Sequence, residues 1–392
     1  MNTILTVLRK EVLDNLRDRR TLMTAIIMGP LFGPLLFAVV INLSIDRALS
    51  SSESVLELPV IGAENAPNLV EFLRTKKIDV IEGPEDSAAA VEGVKSGEYD
   101  VVLSVDADFG EKLSEGTPAR VQVFSDEANQ DARREMRRVA GALREYNGQI
   151  ASMRLFARGV SPMVMRPLNI DEVDVSTPSG RSGILLGMMS YFFIFAMLIG
   201  GMYLAIDSTA GERERGSLEP LLSLPVTRDQ LIIGKILAAC VYMSLSLALS
   251  IAAFAVALVF LPLQKLGMTP NFGPLAAVAA FFLLAPFMLV GASLMTLVAS
   301  FTKSYKEAQT WVSAVLFAPT LPIMLVSILQ VRPKFEFMFI PSLSQHLLLV
   351  DMIKNEPVVP LNIAVSVVTT LLIGVLIMLI SARLYRREGL LG

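Results

Sequence analysis

Residues that could carry out catalysis are scarce in this sequence. Its 392 residues include a single histidine, His346, and a single cysteine, Cys240, which excludes disulfides, cysteine clusters and His-rich metal sites within one chain. Gly234 and Lys235 are followed by Ile236 and not by Ser or Thr, and no glycine-rich run precedes them, so there is no phosphate-binding loop. Neither a His-Glu-x-x-His helix nor a Gly-x-Ser-x-Gly elbow is present. We expect a chain that is not itself an enzyme, binds no metal or cofactor and does not bind nucleic acid.

The most regular charge pattern lies in the segment 207–235. Four consecutive charges alternate in sign: Glu212, Arg213, Glu214 and Arg215. Three leucines then follow at the i, i+3, i+4 spacing of one helix face: Leu218, Leu221 and Leu222. Thr227 opens a Thr-x-x-Gln sequence that can cap the next helix. The pattern predicts a short helix with a charged edge and an apolar ridge, suited to docking in a groove on a partner protein.

Long uncharged stretches flank this segment. Only 18% of the residues are charged and the mean hydropathy is +0.57, whereas soluble domains carry about 25% charged residues. Six stretches reach the roughly 20 residues needed to cross a bilayer: 21–45, 182–206, 236–264, 266–302, 308–331 and 357–382. We therefore predict an α-helical polytopic membrane protein with spans at 21–45 and about 183–206, 232–262, 274–301, 308–331 and 358–382. The first stretch is too long for a signal-peptide core, so we expect an uncleaved anchor.

The distribution of lysine and arginine predicts the orientation of these spans. With both termini on one side, that side carries fourteen basic residues in its termini and short loops, whereas the opposite short loops carry four. Both termini are therefore expected in the cytoplasm, in a bacterial or archaeal inner membrane. Residues 1–20 form an amphipathic pattern that either lies along the inner leaflet or simply begins the first span.

The segment 46–181 has a different character. Residues 46–180 contain 24 acidic and 15 basic side chains. Strand-like runs at 58–61, 79–82, 99–105 and 119–125 alternate with helical runs at 68–77, 85–96, 109–115 and 131–158. The alternation predicts an inserted extracytoplasmic α/β domain. Five arginines form a stripe on the last helix, either as a solvated face or as a contact for an anionic ligand or lipid: Arg133, Arg134, Arg137, Arg138 and Arg144.

The segment after the second span resembles that of type-2 ABC exporter permeases. The family pattern Glu-Arg-Glu-x-Gly-(Ser/Thr)-x-Glu-x-Leu-Leu-x-x-Pro, closed by Gly-Lys before span three, is matched at these positions: Glu212, Arg213, Glu214, Gly216, Ser217, Glu219, Leu221, Leu222, Pro225, Gly234 and Lys235. The layout also agrees: an N-terminal interfacial helix, an α/β domain after span one, and an apolar, re-entrant or capping segment at 333–355. The large external domain is similar to that of the sodium-extrusion (NatB-like) and multidrug-export branch.

This resemblance implies a coupling helix at 208–225 that contacts an ATP-binding subunit. ATP and Mg²⁺ would be held by that partner, in two copies, with the permease as a homodimer embedded in membrane lipid. A heterodimer with a related permease stays open. The cargo would be either Na⁺ or an amphipathic compound. An ABC-coupled signalling or mechanotransmission protein, whose extracytoplasmic domain is the working part, is the alternative, and a membrane receptor without an ATPase is a further one.

Two features of the spans bear on transport. No charged residue lies in the interior of a predicted span, which disfavours a proton-coupled carrier. Gly29 and Gly33 allow close helix approach, and Pro30 and Pro34 beside them could instead produce a kink at a gate, so these four residues are candidates for a dimer contact or a gate.

Overall fold

The computed structural model describes residues 3–53, 55–165, 168, 178–217, 220, 225–266, 268–269, 271–329 and 333–385. The main helices, in chain order, are α1 (Thr3–Arg17), α2 (Gly29–Glu53), α3 (Pro67–Thr75), α4 (Ser87–Ser96), α5 (Phe109–Glu115), α6 (Gln130–Ala157), α7 (Pro178–Ile206), α8 (Arg228–Phe260), α9 (Pro274–Ser300), α10 (Tyr305–Phe317), α11 (Thr320–Leu329), α12 (Leu343–Ile353) and α13 (Pro360–Tyr385). The strands are β1 (Leu56–Ile61), β2 (Ile78–Glu82), β3 (Val101–Val105) and β4 (Val121–Ser125). The chain divides into a helical unit, Met1–Asp46 with Val175–Gly392, and a second unit, Arg47–Asp174.

Six helical segments of the first unit are long and apolar enough to cross a membrane, as the sequence predicts. They are Ala25–Ile45, Gly187–Glu214, Arg228–Phe260, Pro274–Ser300, Tyr305–Val326 and Pro360–Tyr385. Below they are called the first to sixth spans. The chain is a multi-pass membrane protein, since each segment exceeds the length that about 30 Å of hydrocarbon requires.

Small residues bring the second, third and fourth spans into close contact. A Cβ added at Gly200 would lie 2.4 Å from Ser246 Cβ, and one at Gly291 would lie 2.4 Å from Leu198 Cδ2. The Ser246 hydroxyl donates to the Ala196 carbonyl at 2.7 Å. Helix association in lipid depends on such close packing and interhelical hydrogen bonds, because lipid is as apolar as the side chains it would replace.

One glycine of the first span lies at a close contact with another helix of the same chain. An added Cβ at Gly33 would lie 2.9 Å from Phe192 Cβ, so this position lets the first span approach the second. Gly29, Pro30 and Pro34 are also buried within the unit, and Pro34 lies inside α2. The close approach predicted at Gly33 is therefore intramolecular.

The fifth span departs from the single helix predicted at 308–331. It consists of α10 and α11, which meet at residues 318–319. Pro319 has no N–H to donate to the Val315 carbonyl, and Ala318 N donates to that carbonyl at 3.3 Å. The interruption therefore follows from the proline.

Between the fifth and sixth spans, a 3₁₀ turn (Phe335–Phe339) is followed by the short apolar helix α12. Four hydrogen-bonding side chains of α12 and its N-cap are buried: Ser342, Ser344, Gln345 and His346. Gln345 Nε2 donates to Thr370 Oγ1 at 2.7 Å, and Ser366 Oγ donates to Ser344 Oγ at 2.8 Å, so the sixth span supplies partners to this helix. The helix occupies the segment predicted to be re-entrant.

The second unit contains a four-stranded sheet in the order β2-β1-β3-β4. Strands β2, β1 and β3 run parallel, and β4 pairs antiparallel with β3. All five residues of β3 are buried, because α3, α5 and α6 pack on one face of the sheet and α4 packs on the other. The strands and helices lie where the sequence predicts them, to within a few residues.

Candidate functional site

The helix type changes near the end of the second span. Helix α7 continues into a π-helical turn, Asp207–Gly211, and then a short α-helical turn, Glu212–Glu214. Gly216 adopts a left-handed conformation with φ 68°, its N–H donates to Arg213 O, and Ser217 N–H donates to Glu212 O, each at 3.0 Å. This arrangement is a glycine-terminated helix end. The single helix predicted at 208–225 is therefore interrupted at Gly216.

Glu212 forms an ion pair with Lys235 at the start of the third span. Only 7% of Glu212 and 1% of Lys235 is exposed. Lys235 Nζ donates to Glu212 Oε2, and also to the Ser208 carbonyl at 2.6 Å. A buried charge requires such a partner, since its removal from water is otherwise too costly. The pair therefore fixes the end of the second span to the start of the third.

Lys10 of α1 brings a second cation to the same carboxylate. Its Nζ lies 3.8 Å from Glu212 Oε1, 2.9 Å from Glu11 Oε1 and 3.7 Å from Asp14 Oδ2. Partial burial lowers the pKa of Lys10, but the hydrogen bond to Glu11 and the nearby carboxylates outweigh it and raise the pKa above its usual range. Lys10 therefore stays protonated and links α1 to the end of the second span.

Gly234, next to Lys235, explains how α1 approaches so closely. An added Cβ at Gly234 would lie 2.7 Å from Val7 Cγ1 and 3.2 Å from the Ile4 carbonyl. About two turns further along α8, the Tyr242 hydroxyl donates to the Val12 carbonyl at 3.1 Å. The Gly-Lys pair thus serves two structural contacts, one steric and one electrostatic.

The amphipathic pattern of α1 is divided between two faces. Leu8 and Val12 pack against the helical core, whereas Leu5, Leu13 and Leu16 are exposed. Glu11 and Asn15 are buried instead, with Asn15 Nδ2 donating to the Glu11 carbonyl at 3.1 Å. The exposed leucines leave an apolar face on this helix. Glu11 and Asn15 lie on its buried side, beside the ion pairs of Lys10 and Glu212.

Arg213 and Glu214 contact the connection between the fourth and fifth spans. Arg213 Nη1 donates to Thr302 O at 2.8 Å and Nη2 donates to Ser300 O at 3.2 Å, at the C-terminal end of α9. Glu214 Oε2 accepts from Tyr305 N at 2.6 Å, at the N-terminal end of α10. A cation at a helix C-terminus and an anion at an N-terminus both stabilise the helix dipole. The two residues therefore hold both ends of this connection.

Arg215, Gly216 and Ser217 face outwards. Arg215 Nη1 donates to Asp207 Oδ1 at 2.7 Å, which raises the pKa of Arg215 above its usual range. A polar cavity of about 210 Å³ lies beside this turn, and nine residues line it: Lys10, Glu11, Asp14, Asn15, Asp18, Asp207, Glu212, Arg215 and Ser217. We call residues 207–217, with Lys10 and Lys235, the charged junction.

The predicted site residues differ in how far their partners lie along the chain. Glu212, Arg213 and Glu214 contact other helices or their connections. Arg215, Gly216, Ser217 and Pro225 are exposed, and the ion pair of Arg215 is with Asp207 of the same segment. Glu219, Leu221 and Leu222 lie outside the described residues. Thr227 does form the predicted capping box with Gln230. The sequence did not predict Lys10 as a partner of Glu212, or the carbonyls of Ser300 and Thr302 as partners of Arg213. No local pattern identifies partners so distant along the chain.

The interior of the helical unit contains polar groups but no acidic cluster in the part of the chain that the structure describes. Among those residues, no group of three or more His, Cys, Asp or Glu side chains is arranged to hold a metal ion. The Ser190 hydroxyl lies 2.5 Å from His346 Nδ1, and burial lowers the pKa of His346 to about 4. Ser250, Ser293 and Thr296 are also buried, each with its hydroxyl oxygen lacking a hydrogen-bond partner among the described groups.

Two comparisons with known proteins bear on this arrangement. Residues 19–383 match the family model described as ABC-2 family transporter protein. The chain is also similar to the ABC transporter permease protein NatB of Bacillus subtilis (strain 168), with 27% identity over 355 residues that cover 87% of each chain. The family match extends from the residues before the first span into the sixth, and it includes Asp207–Gly211 and the rest of the segment up to Lys235.

Proposed function

Because the chain belongs to the ABC-2 family of transporter proteins, as the permease subunit of an ABC transporter, we propose that it moves its cargo out of the cytoplasm. The energy comes from ATP hydrolysed in a separate ATP-binding subunit, which holds the ATP and Mg²⁺. The permease contributes the membrane pathway and the contact through which the ATPase acts.

The charged junction is the observation that carries this proposal. It connects the end of the second span to α1 through Lys10, to the third span through Lys235, and to the α9–α10 connection through Arg213 and Glu214. The exposed turn at Arg215–Gly216–Ser217 begins the segment up to Pro225 on which the ATP-binding subunit presses. Because four elements are bonded to one turn, a displacement of that turn moves them together.

The orientation that we propose rests on the basic residues of the termini and short loops. In it the charged junction and both termini face the cytoplasm, and the segment between the first and second spans is extracytoplasmic. This places the junction on the side where an ATP-binding subunit operates.

The cargo is either Na⁺ or an amphipathic compound. The neutral oxygens of Ser250, Ser293 and Thr296 support the first, and the apolar character of the spans supports the second. We propose two permease copies and two ATP-binding subunits in the complex. Measuring ²²Na⁺ and fluorescent amphipathic cations in the same vesicles separates the two cargo classes.

The test is transport by the purified permease with its ATP-binding subunit in inside-out proteoliposomes. Arg215→Glu reverses a charge on the exposed turn. It removes a half-exposed ion pair, worth about 1 kcal/mol or less, and a hydrogen bond to the Asp207 carbonyl. We expect folding and membrane insertion to persist while ATP-driven accumulation and permease-stimulated ATPase activity fall together. The matched control is Lys334→Glu, which makes the same charge change at an exposed residue beyond the fifth span.

Two results would contradict the proposal. Unchanged transport in Arg215→Glu would remove the junction as the coupling contact. ATP hydrolysis that accumulates neither cargo class, but changes the conformation of the Arg47–Asp174 unit, would favour the signalling or mechanotransmission alternative.

A further inference from the structure

The end of α6 and the residues after it expose an unusual number of large apolar side chains. In the described part of the Arg47–Asp174 unit, ten large apolar side chains are exposed, and seven of them lie within 153–168. Phe156 is 77% exposed and Met163 is 81% exposed. The seven are Met153, Phe156, Val160, Met163, Val164, Met165 and Leu168. We call residues 153–165 together with Leu168 the apolar turn; such a concentration of exposed apolar surface marks an interaction site.

Part of the backbone of the apolar turn is hydrogen-bonded internally. Gly159 takes a left-handed conformation with φ 71°, its N–H donates to Phe156 O at 3.0 Å, and Val160 N–H donates to Leu155 O at 2.9 Å. Val164 N then donates to Ser161 O at 3.1 Å, within a 3₁₀ turn. Because these backbone N–H groups are already paired, this part of the turn can enter an apolar environment at lower cost.

The charge of this region differs from that of the rest of the unit. Residues 46–180 carry 24 acidic and 15 basic side chains, yet residues 146–170 contain three arginines and no acidic residue. Arg154 Nη2 donates to Leu113 O at 2.5 Å, which holds the end of α6 against the unit, and Arg158 is exposed. Arginines beside exposed apolar side chains are typical of segments that bind the surface of anionic membranes.

The apolar turn is also connected to the membrane by a short length of chain. Nine residues lie between Leu168 and Pro178, where the helix of the second span begins, so Leu168 stays within about 36 Å of that point even along an extended chain. The membrane surface is therefore within its reach, whatever the placement of the rest of the unit.

We propose that the apolar turn inserts into the lipid interface of the leaflet on its own side of the membrane. Phe156, Met163 and Val164 contact the acyl boundary, and the exposed Arg158 lies at the level of the phosphates. The lipid contact anchors the Arg47–Asp174 unit at the membrane surface. It is independent of the cargo and of the direction of transport.

The test uses the full chain in phosphatidylethanolamine–phosphatidylglycerol vesicles. Cys240, the one cysteine of the sequence, is replaced by Cys240→Ala, and a nitroxide is attached after Met163→Cys or Val164→Cys. Power-saturation EPR then compares collisions with O₂, which partitions into lipid, and with Ni-EDDA, which stays in water and is present on both sides. The control label is at Lys95→Cys, an exposed position on α4 of the same unit.

We expect O₂ collisions to exceed Ni-EDDA collisions several-fold at 163 and 164, and the reverse at 95. Excess Ni-EDDA collisions at 163 and 164 would overturn the proposal, because the turn would then lie in water. Low accessibility to both reagents would also overturn it, because a second copy of the chain or another part of the same chain would then cover the turn. A label at Phe156→Cys should change from the lipid pattern to the water pattern when Met163→Glu and Val164→Glu are added.

Discussion

Glu212 and Lys235 form a nearly completely buried ion pair, although 23 residues separate them and Glu212 belongs to a segment of alternating charges. The Lys235 ammonium also donates to the Ser208 carbonyl at 2.6 Å. The pair joins the second and third spans at one level, and the stability of the charged junction therefore depends on both partners.

Removing one partner of this pair should be costly. Lys235→Met leaves the Glu212 carboxylate buried with only the more distant Lys10, and we expect a loss of about 3–5 kcal/mol in the free energy of unfolding. Thermal denaturation of the detergent-solubilised protein measures the change. Adding Glu212→Gln to Lys235→Met should restore most of the stability; no restoration would mean that Lys235 acts mainly through packing.

The contact between Gly234 and Val7 predicts a steric effect with a matched rescue. Gly234→Ala places a methyl group 2.7 Å from Val7 Cγ1, and overpacking of this kind costs about 1–3 kcal/mol. Val7→Ala should recover only part of the stability in the double variant, because it removes Cγ1 but leaves the Cβ of residue 7 at 2.8 Å from the added methyl group. A melting temperature that stays as low as in Gly234→Ala would show that this Cβ or the Ile4 carbonyl at 3.2 Å sets the limit instead.

Arg213 should stabilise the connection between the fourth and fifth spans. Arg213→Gln removes the charge and the paired donors to Ser300 O and Thr302 O, and we expect a loss of about 1.5–3 kcal/mol. Hydrogen exchange should increase at residues 300–305 and not elsewhere in the unit. Arg9→Gln, which removes an exposed arginine of α1, is the control and should leave exchange at 300–305 unchanged.

His346 should make the free energy of unfolding decrease as the pH falls below neutral. Burial lowers its pKa to about 4 from the usual 6.5, so the unfolded chain takes up a proton first as the pH falls. Its contribution is complete above pH 6.5 and decreases towards pH 4, with about 2 kcal/mol lost by pH 5. His346→Gln, which does not titrate, should show a smaller decrease in melting temperature between pH 7.5 and 5. Equal decreases in both proteins would assign the acid sensitivity to carboxylates.

Local sequence patterns predicted most of the elements. The six apolar stretches, the four strands and the Thr227 cap each depend on neighbouring residues, so composition and periodicity are enough to find them. The helix end at Gly216 was not predicted, because the leucines that follow at helical spacing suggest that the helix continues.

The site was harder to predict than the fold. Glu212 lies among alternating charges that look solvent-exposed, and its burial depends on Lys235 and Lys10, which come from two other elements. Which residues of α1 are buried likewise depends on contacts with other helices, such as the approach of Val7 to Gly234, and these cannot be predicted from the sequence of α1 alone. Long-range pairing of this kind leaves no periodic signal along the chain.

The hydrogen bonds of α12 have a consequence for biogenesis. Gln345 donates to Thr370 and Ser344 accepts from Ser366, and both partners belong to the sixth span, which is synthesised after α12. Until that span is inserted, burial of α12 would leave the Gln345 amide N–H without this partner. We therefore expect the burial of α12 to be completed only when the sixth span arrives.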